Sequence, residues 1–271
     1  MSTEITTEPE ILSAEVAAWE APIPPTNLVF DDGEPLETHR HRIAMNVLID
    51  AALSALAERE DFFVGGNMFV YYSRQQVMNR DFRGPDFFVA LDVDGNRERQ
   101  GWVIWEEDGR YPDVIVELMS PSTAKIDKGV KKTLYERTFH TADYYVYNPF
   151  DPNSLEGWHL DEKQRYQPLV ANEYGWLWCE TLGLWLGTWE GSIRREPPTG
   201  TCHWLRFYDR QGNLVLLQAE AERQRAEAER QQAEAERQRA EAERQRAEAE
   251  RRRAERLAAR LRDLGEDPDS L

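Results

Sequence analysis

Residues 83–149 constrain this chain more than any other part of it. Residues 86–93 and 112–119 are rich in Val, Ile and Phe and read as two buried strands, and DYYVYNP at 143–149 reads as a third, stopped by Pro149. Between the last two lies a helical stretch, 123–139, led by Ser and Thr that can serve as N-cap. An α/β domain is therefore expected. Asp86 stands at the start of the first strand and Glu117 near the end of the second. If those strands are antiparallel neighbours, start and end lie side by side, and the two carboxylates can share a divalent ion with oxygen ligands. Glu117 follows Val-Ile-Val, and a carboxylate there is costly unless a metal or a lysine meets it. Asp113 faces the same way as Glu117, but the intervening strand separates them by roughly 13 Å. It reads instead as a strand-start or turn residue. Two carboxylates on neighbouring strands plus a nearby lysine are the minimum apparatus for metal-assisted cleavage of a phosphodiester.

The formal net charge of −17 is awkward for a nucleic-acid partner, because Lys and Arg make most phosphate contacts. Its distribution softens the conflict. Residues 1–37 carry acidic side chains and no basic one, whereas the charged stretch 219–264 is nearly balanced. The part between is only modestly acidic, and a bound metal ion brings its own positive charge. Cys179 and Cys202 are too few for a disulfide framework or a zinc site. No signal peptide or apolar run of membrane-spanning length is visible, so a cytoplasmic location is expected.

Residues 1–26 read as an acidic flexible arm, and 27–217 as one domain. In that domain, 37–59 has helical periodicity through Ile43, Val47, Leu48, Ala51, Leu53 and Leu56. FVGGNMFVYY at 63–72 suggests a Gly-broken turn and a strand, WVIWE at 102–106 a strand or covering loop, and 157–217 a set of aromatic hairpins closing the same domain. Residues 218–264 carry a heptad repeat, AEAERQR and close variants. It reads as a long charged helix, either solvated alone or in a weak coiled coil, because its Ala spacing makes a poor seam. Only Ala254, Leu257, Leu261 and Leu264 have seam spacing, which allows a homodimer. Residues 265–271 read as a disordered end.

RGPDFFV, PDVIVELMSPST, DKGVKKTLYER and DYYVYNP together resemble the Uma-type restriction endonuclease family of the PD-(D/E)XK nuclease superfamily. The likeness runs over about 24–217. It implies a restriction-endonuclease-like mixed β-sheet flanked by helices, and magnesium-dependent hydrolysis of DNA, with manganese as a substitute. It implies that Asp86 and Glu117 are the metal-binding acids. The lysine of the motif falls at Met119, which cannot do its work. The resemblance places the replacement at Lys131 in the following helix, with Tyr135 one turn later and Lys125, Lys128 and Lys132 as alternatives. Glu37 and His41 on the first helix are candidates for an acidic ligand or a phosphate contact. Ser120 and Ser122 either bond to the site or shape its turn. A catalytically inactive descendant that binds or assembles is the rival reading. No base-reading motif is present, so sequence specificity is not legible.

Overall fold

The structure, a computed structural model, describes residues 25–26, 28–29, 38–81, 83–193 and 201–263. The expected acidic arm and the expected end at 265–271 lie outside these residues, apart from Pro25 and Thr26. In chain order the strands are β1 (Phe62–Gly65), β2 (Val70–Tyr71), β3 (Phe87–Leu91), β4 (Trp102–Val103), β5 (Val114–Leu118), β6 (Asp143–Asn148), β7 (Asp151–Leu160), β8 (Tyr166–Pro168), β9 (Leu177–Cys179), β10 (Leu184–Gly191) and β11 (Cys202–Tyr208). Helix α1 spans His39–Ala55 and α2 Arg74–Asn79. A helical run at 124–139, here the site helix, bridges β5 and β6, and a tail helix spans Gln218–Asp263.

The main sheet has six strands in the order β1-β3-β5-β6-β7-β8. Strands β5 and β6 are parallel, which requires the crossover that the site helix provides. The other pairings in this sheet are antiparallel. Its central strands are apolar on both faces because both faces are covered. On one face Phe87, Val89, Val114, Val116, Tyr145 and Tyr147 pack against α1 and the three-stranded sheet β11-β10-β9. On the other, Phe88, Ala90, Ile115, Met119 and Tyr144 pack against Tyr135 and Phe139 of the site helix and against Trp102. The expected mixed sheet flanked by helices is thus the architecture found. The aromatic hairpins of 157–217 close the same core, and WVIWE gives β4 followed by a 3-10 turn at Ile104–Glu106.

Three expectations need correction. Helix α1 begins at His39 and ends at Ala55, and Leu53 is 48% exposed. Position 53 falls off the stripe set by Ile43, Val47, Leu48 and Ala51, so packing leaves it in water. Of the Ser and Thr residues that lead the site helix, Ser120 takes the capping bonds from the Ser122 and Thr123 amides, and Thr123, next to the helix, makes none. Its hydroxyl accepts instead from the Ser120 amide.

The third concerns the tail helix. From Glu222 to Arg253 its repeats are exposed, and Leu257 is exposed as well. The side chains of Leu261 and Leu264 lie outside the described residues. Its first turn, however, is tied to the core. Glu220 forms a bidentate pair with the fully buried Arg206, at 2.7 and 3.2 Å, and also accepts from the Leu217 amide at 2.9 Å. The reading of a solvated helix therefore does not extend to its first turn. The apolar poverty of the repeats is real, but a single carboxylate at their root satisfies a buried guanidinium.

Candidate active site

Alternation along two strands assembles the acidic pair. Phe87 pairs with Val116 and Phe88 with Ile115. Continuing that antiparallel register by one residue sets Asp86 opposite Glu117, on the face that carries Phe88, Ile115 and Met119. The two carboxyls lie close enough for the Glu117 charge to act on Asp86. Asp86 Oδ2 also accepts from the Leu118 amide at 2.7 Å, which fixes the carboxyl on the end of β5. Asp113 sits at the far end of the same strand, where its carboxylate accepts from the Leu91 amide at 2.7 Å. It is a strand-start residue, as its position in the sequence suggested.

The site helix supplies the partners that a buried carboxylate needs. Glu117 is fully buried. Its Oε1 accepts from the Tyr135 hydroxyl at 2.7 Å, and its Oε2 lies 2.9 Å from Lys131 Nζ. The same ammonium lies 3.0 Å from Asp127 Oδ1. Asp127 is a site residue that reading the sequence missed. The available signal was the four-residue spacing of Asp127 and Lys131 in DKGVK, which puts both on one side of a helix.

Electrostatics follow from this crowding. Burial, reinforced by the Glu117 charge, holds Asp86 well above the usual carboxylate range, against the pull of Lys131 and of the Leu118 amide. Burial and Glu117 likewise raise Asp127. Burial pushes the Lys131 ammonium down, but the carboxylates of Glu117, Asp127 and Asp86 outweigh it and hold it above its ordinary value. Burial and Glu117 push the Tyr135 phenol well up, so it stays a donor.

The other lysines considered from sequence do not enter this cluster. Lys128 pairs with Glu156, Lys132 lies over the Trp158 ring at 3.9 Å, and Lys125 is exposed. Met119, at the motif's lysine position, is buried in the apolar cluster. Ser120 shapes the turn: its hydroxyl accepts from the Ser122 and Thr123 amides, both at 3.2 Å. His41 reaches the backbone just past Glu117. Its Nδ1 meets Thr38 Oγ1 at 2.8 Å, and its Nε2 meets the Met119 carbonyl at 3.3 Å. Glu37 lies outside the described residues.

Does this donor set suit a divalent ion? Among the described residues no three His, Cys, Asp or Glu side chains form a cage. Asp86 and Glu117 nevertheless offer adjoining carboxylate oxygens. With Asp127 they outnumber the one ammonium, so the surplus charge is negative. Magnesium is commonly held by one or two carboxylates, with water and substrate oxygens completing its shell. A second cation beside Asp86 and Glu117 would also relieve the repulsion that raises Asp86. The residues present therefore fit such an ion.

Comparisons with known proteins give the family. No curated protein matches the chain. Its structure is similar to one described as a putative nuclease belonging to DUF820 from Anabaena variabilis, with 14% identity, covering 56% of this chain and 81% of that one, at a TM-score of 0.39. A likeness that weak carries no argument. The decisive match is to the Uma2 family, described as "Putative restriction endonuclease", over residues 15–190. That range takes in β1 to β9 and all but the last residue of β10, and with them Asp86, Glu117, Lys131 and Tyr135. The chain belongs to the Uma2 family of restriction endonuclease-like proteins.

Proposed function

We propose that this protein is a magnesium-dependent endonuclease that hydrolyses DNA phosphodiester bonds, with manganese able to substitute, acting in the cytoplasm. The observation that carries the reading is the convergence of Asp86, Glu117 and Lys131 from three separate elements, with Lys131 Nζ 2.9 Å from a fully buried glutamate. Asp86 and Glu117 would hold the ion. When bound, it supplies Lewis-acid polarisation of the phosphate and neutralises part of its charge. Lys131 keeps its proton at neutral pH, because the surrounding carboxylates hold its pKa up. It therefore donates hydrogen bonds, to the attacking water or to the phosphoryl oxygens on which negative charge builds. It cannot serve as the base. Tyr135 and the Leu118 amide fix the orientations of Glu117 and Asp86, so that little reorganisation accompanies reaction. Two domains joined through the end of the tail helix would suit cleavage of both strands.

The rival reading is a binding or assembly module that has lost its chemistry. What favours it is Met119, together with the enclosure of the Lys131 ammonium between Glu117 and Asp127, which a purely structural ion pair would also have. The deciding experiment is calorimetric titration of magnesium into the purified full chain, beside a DNA-cleavage assay. Wild type is expected to bind and cut, and Asp86→Ala to do neither. Binding by both proteins, or by neither, rules the proposed metal site out. Binding without cutting selects the rival.

A further inference from the structure

Beside the carboxylate site lies a second group of side chains that the hydrolysis reading does not use. Phe150 sits at the turn between β6 and β7 and is 56% exposed, among the most exposed aromatic side chains described. The turn holds it firmly. The Phe150 amide donates to Asn148 Oδ1 at 3.0 Å, and Ser154 Oγ accepts from the Asn148 amide at 2.8 Å. An apolar ring presented to water on a rigid turn has no part in the core.

Its neighbours are cationic. The Arg40 guanidinium, in the first turn of α1, lies 4.8 Å from the Phe150 ring centroid and 5.5 Å from that of Trp204. A guanidinium in the first turn opposes the positive end of the helix dipole, a position suited to anions. Arg40 is also under-used. Among the described residues it forms one hydrogen bond, from Nη2 to the His203 carbonyl at 3.3 Å, and the buried Nε has no partner there. The hydroxyl of the fully buried Tyr147, close enough for the Arg40 charge to act on it, likewise has none. Buried donors without acceptors are costly, and an incoming acceptor relieves that cost.

The group adjoins the acids. The Phe150 and His41 rings are 5.9 Å apart, and His41 Nε2 lies 3.3 Å from the carbonyl of Met119, two residues after Glu117. Resting on the endonuclease reading, we propose that Arg40 and Phe150 form a nucleotide subsite. Phe150 stacks on an unpaired base, and Arg40 holds the phosphate joined to it. An aromatic platform beside a cation is how single strands are bound without sequence preference. The substrate class is therefore DNA with an unpaired stretch next to the scissile bond. Stacked duplex offers Phe150 no free base face.

The test uses the full chain in chelator, which stops metal-dependent cutting, with fluorescein-labelled single-stranded DNA and the matching duplex as probes. By fluorescence anisotropy, Phe150→Ala should weaken single-strand binding roughly five- to a hundredfold, the range of one lost stacking contact, and leave duplex binding unchanged. Phe150→Trp should restore it. Because Phe150 is exposed, the substitution does not threaten folding. Arg40→Met should weaken single-strand binding and lower its salt slope by about 0.7, the value for one lost phosphate contact. Unchanged single-strand affinity in Phe150→Ala overturns the proposal, as does equal weakening for duplex. If Phe150 governs binding but the protein never cuts with magnesium, the subsite stands and the endonuclease reading fails. If the protein cuts while Phe150→Ala binds as wild type, the subsite fails alone.

Discussion

Asp86→Asn should make the metal-free protein more stable while destroying its metal site. Asn preserves the acceptor for the Leu118 amide and turns the contact with Glu117 from repulsion into a donated hydrogen bond. Two like charges about 4 Å apart repel by about 4 kcal/mol at an effective dielectric near 20. The Lys131 ammonium attracts Asp86 and cancels part of that. The net relief should be about 1–2 kcal/mol. The sign with pH follows from the direction of the shift. The folded Asp86 carboxyl lies above its unfolded value, so the folded state holds the proton more tightly. Wild type then loses stability relative to Asp86→Asn as pH rises from about 4, the unfolded value, to the folded one, and the gap stays constant above. Magnesium should invert the order, because an ion that binds only the folded state adds about 2.7 kcal/mol at a hundred times its Kd. Urea unfolding of both proteins, in chelator and in magnesium, reads all three effects. If Asp86→Asn is the less stable in chelator, or magnesium stabilises both equally, the reasoning is wrong.

Three further perturbations separate the roles of Glu117's partners and of the tail. Lys131→Met removes the cation from a fully buried carboxylate and should cost about 3 kcal/mol, the lower end for a broken buried pair because the lysine keeps 19% of its side chain exposed. It should also lower cleavage by at least about a hundredfold, measured at saturating magnesium. Tyr135→Phe removes one hydrogen bond to a buried charge and should cost about 2 kcal/mol by urea unfolding, with the metal stoichiometry kept. Truncation after Leu217 strands the buried Arg206 and should cost about 2–3 kcal/mol, a figure reduced because Glu220 is partly exposed. Truncation after Arg230 keeps Glu220 and should leave the thermal midpoint unchanged. A loss of dimer in either truncated protein, seen by light scattering, would assign pairing to the end of the tail helix.

The layering was legible in the sequence because it depends on patterns that local chemistry sets. Val, Ile and Phe on both faces of 87–91 and 114–118 require a sheet covered on both sides, and the position of Asp86 and Glu117 at opposite strand ends brings them together once the strands run antiparallel. What could not be read depends on long-range partners. Arg206 sits in a strand like any half-exposed arginine, and nothing near it in sequence reveals that Glu220, beyond a turn, makes it fully buried. Phe150 follows Pro149, and its exposure beside Arg40 becomes visible only when α1 reaches the end of β6. Leu53 lies about 200° around α1 from Ala51, on the side away from the buried stripe, and so it faces water.

The displaced lysine shows why position in a motif is a poorer guide than the geometry the motif serves. A lysine at 119 would share the face of Glu117, two residues along the strand. The parallel β5–β6 pair forces its connecting helix across that same face, so any residue on the inward line of the helix approaches Glu117 from above. Asp127, Lys131 and Tyr135 are four residues apart and all reach the same carboxylate cluster. In a pure α-helix of 3.6 residues per turn such a line drifts by about 40° at each step. Here the wider π turn at Asp127–Lys131 drifts the other way and brings the line back over Glu117. The irregular helix is therefore what lets a carboxylate, an ammonium and a phenol converge on one buried acid, and the work of the strand lysine passes to the helix.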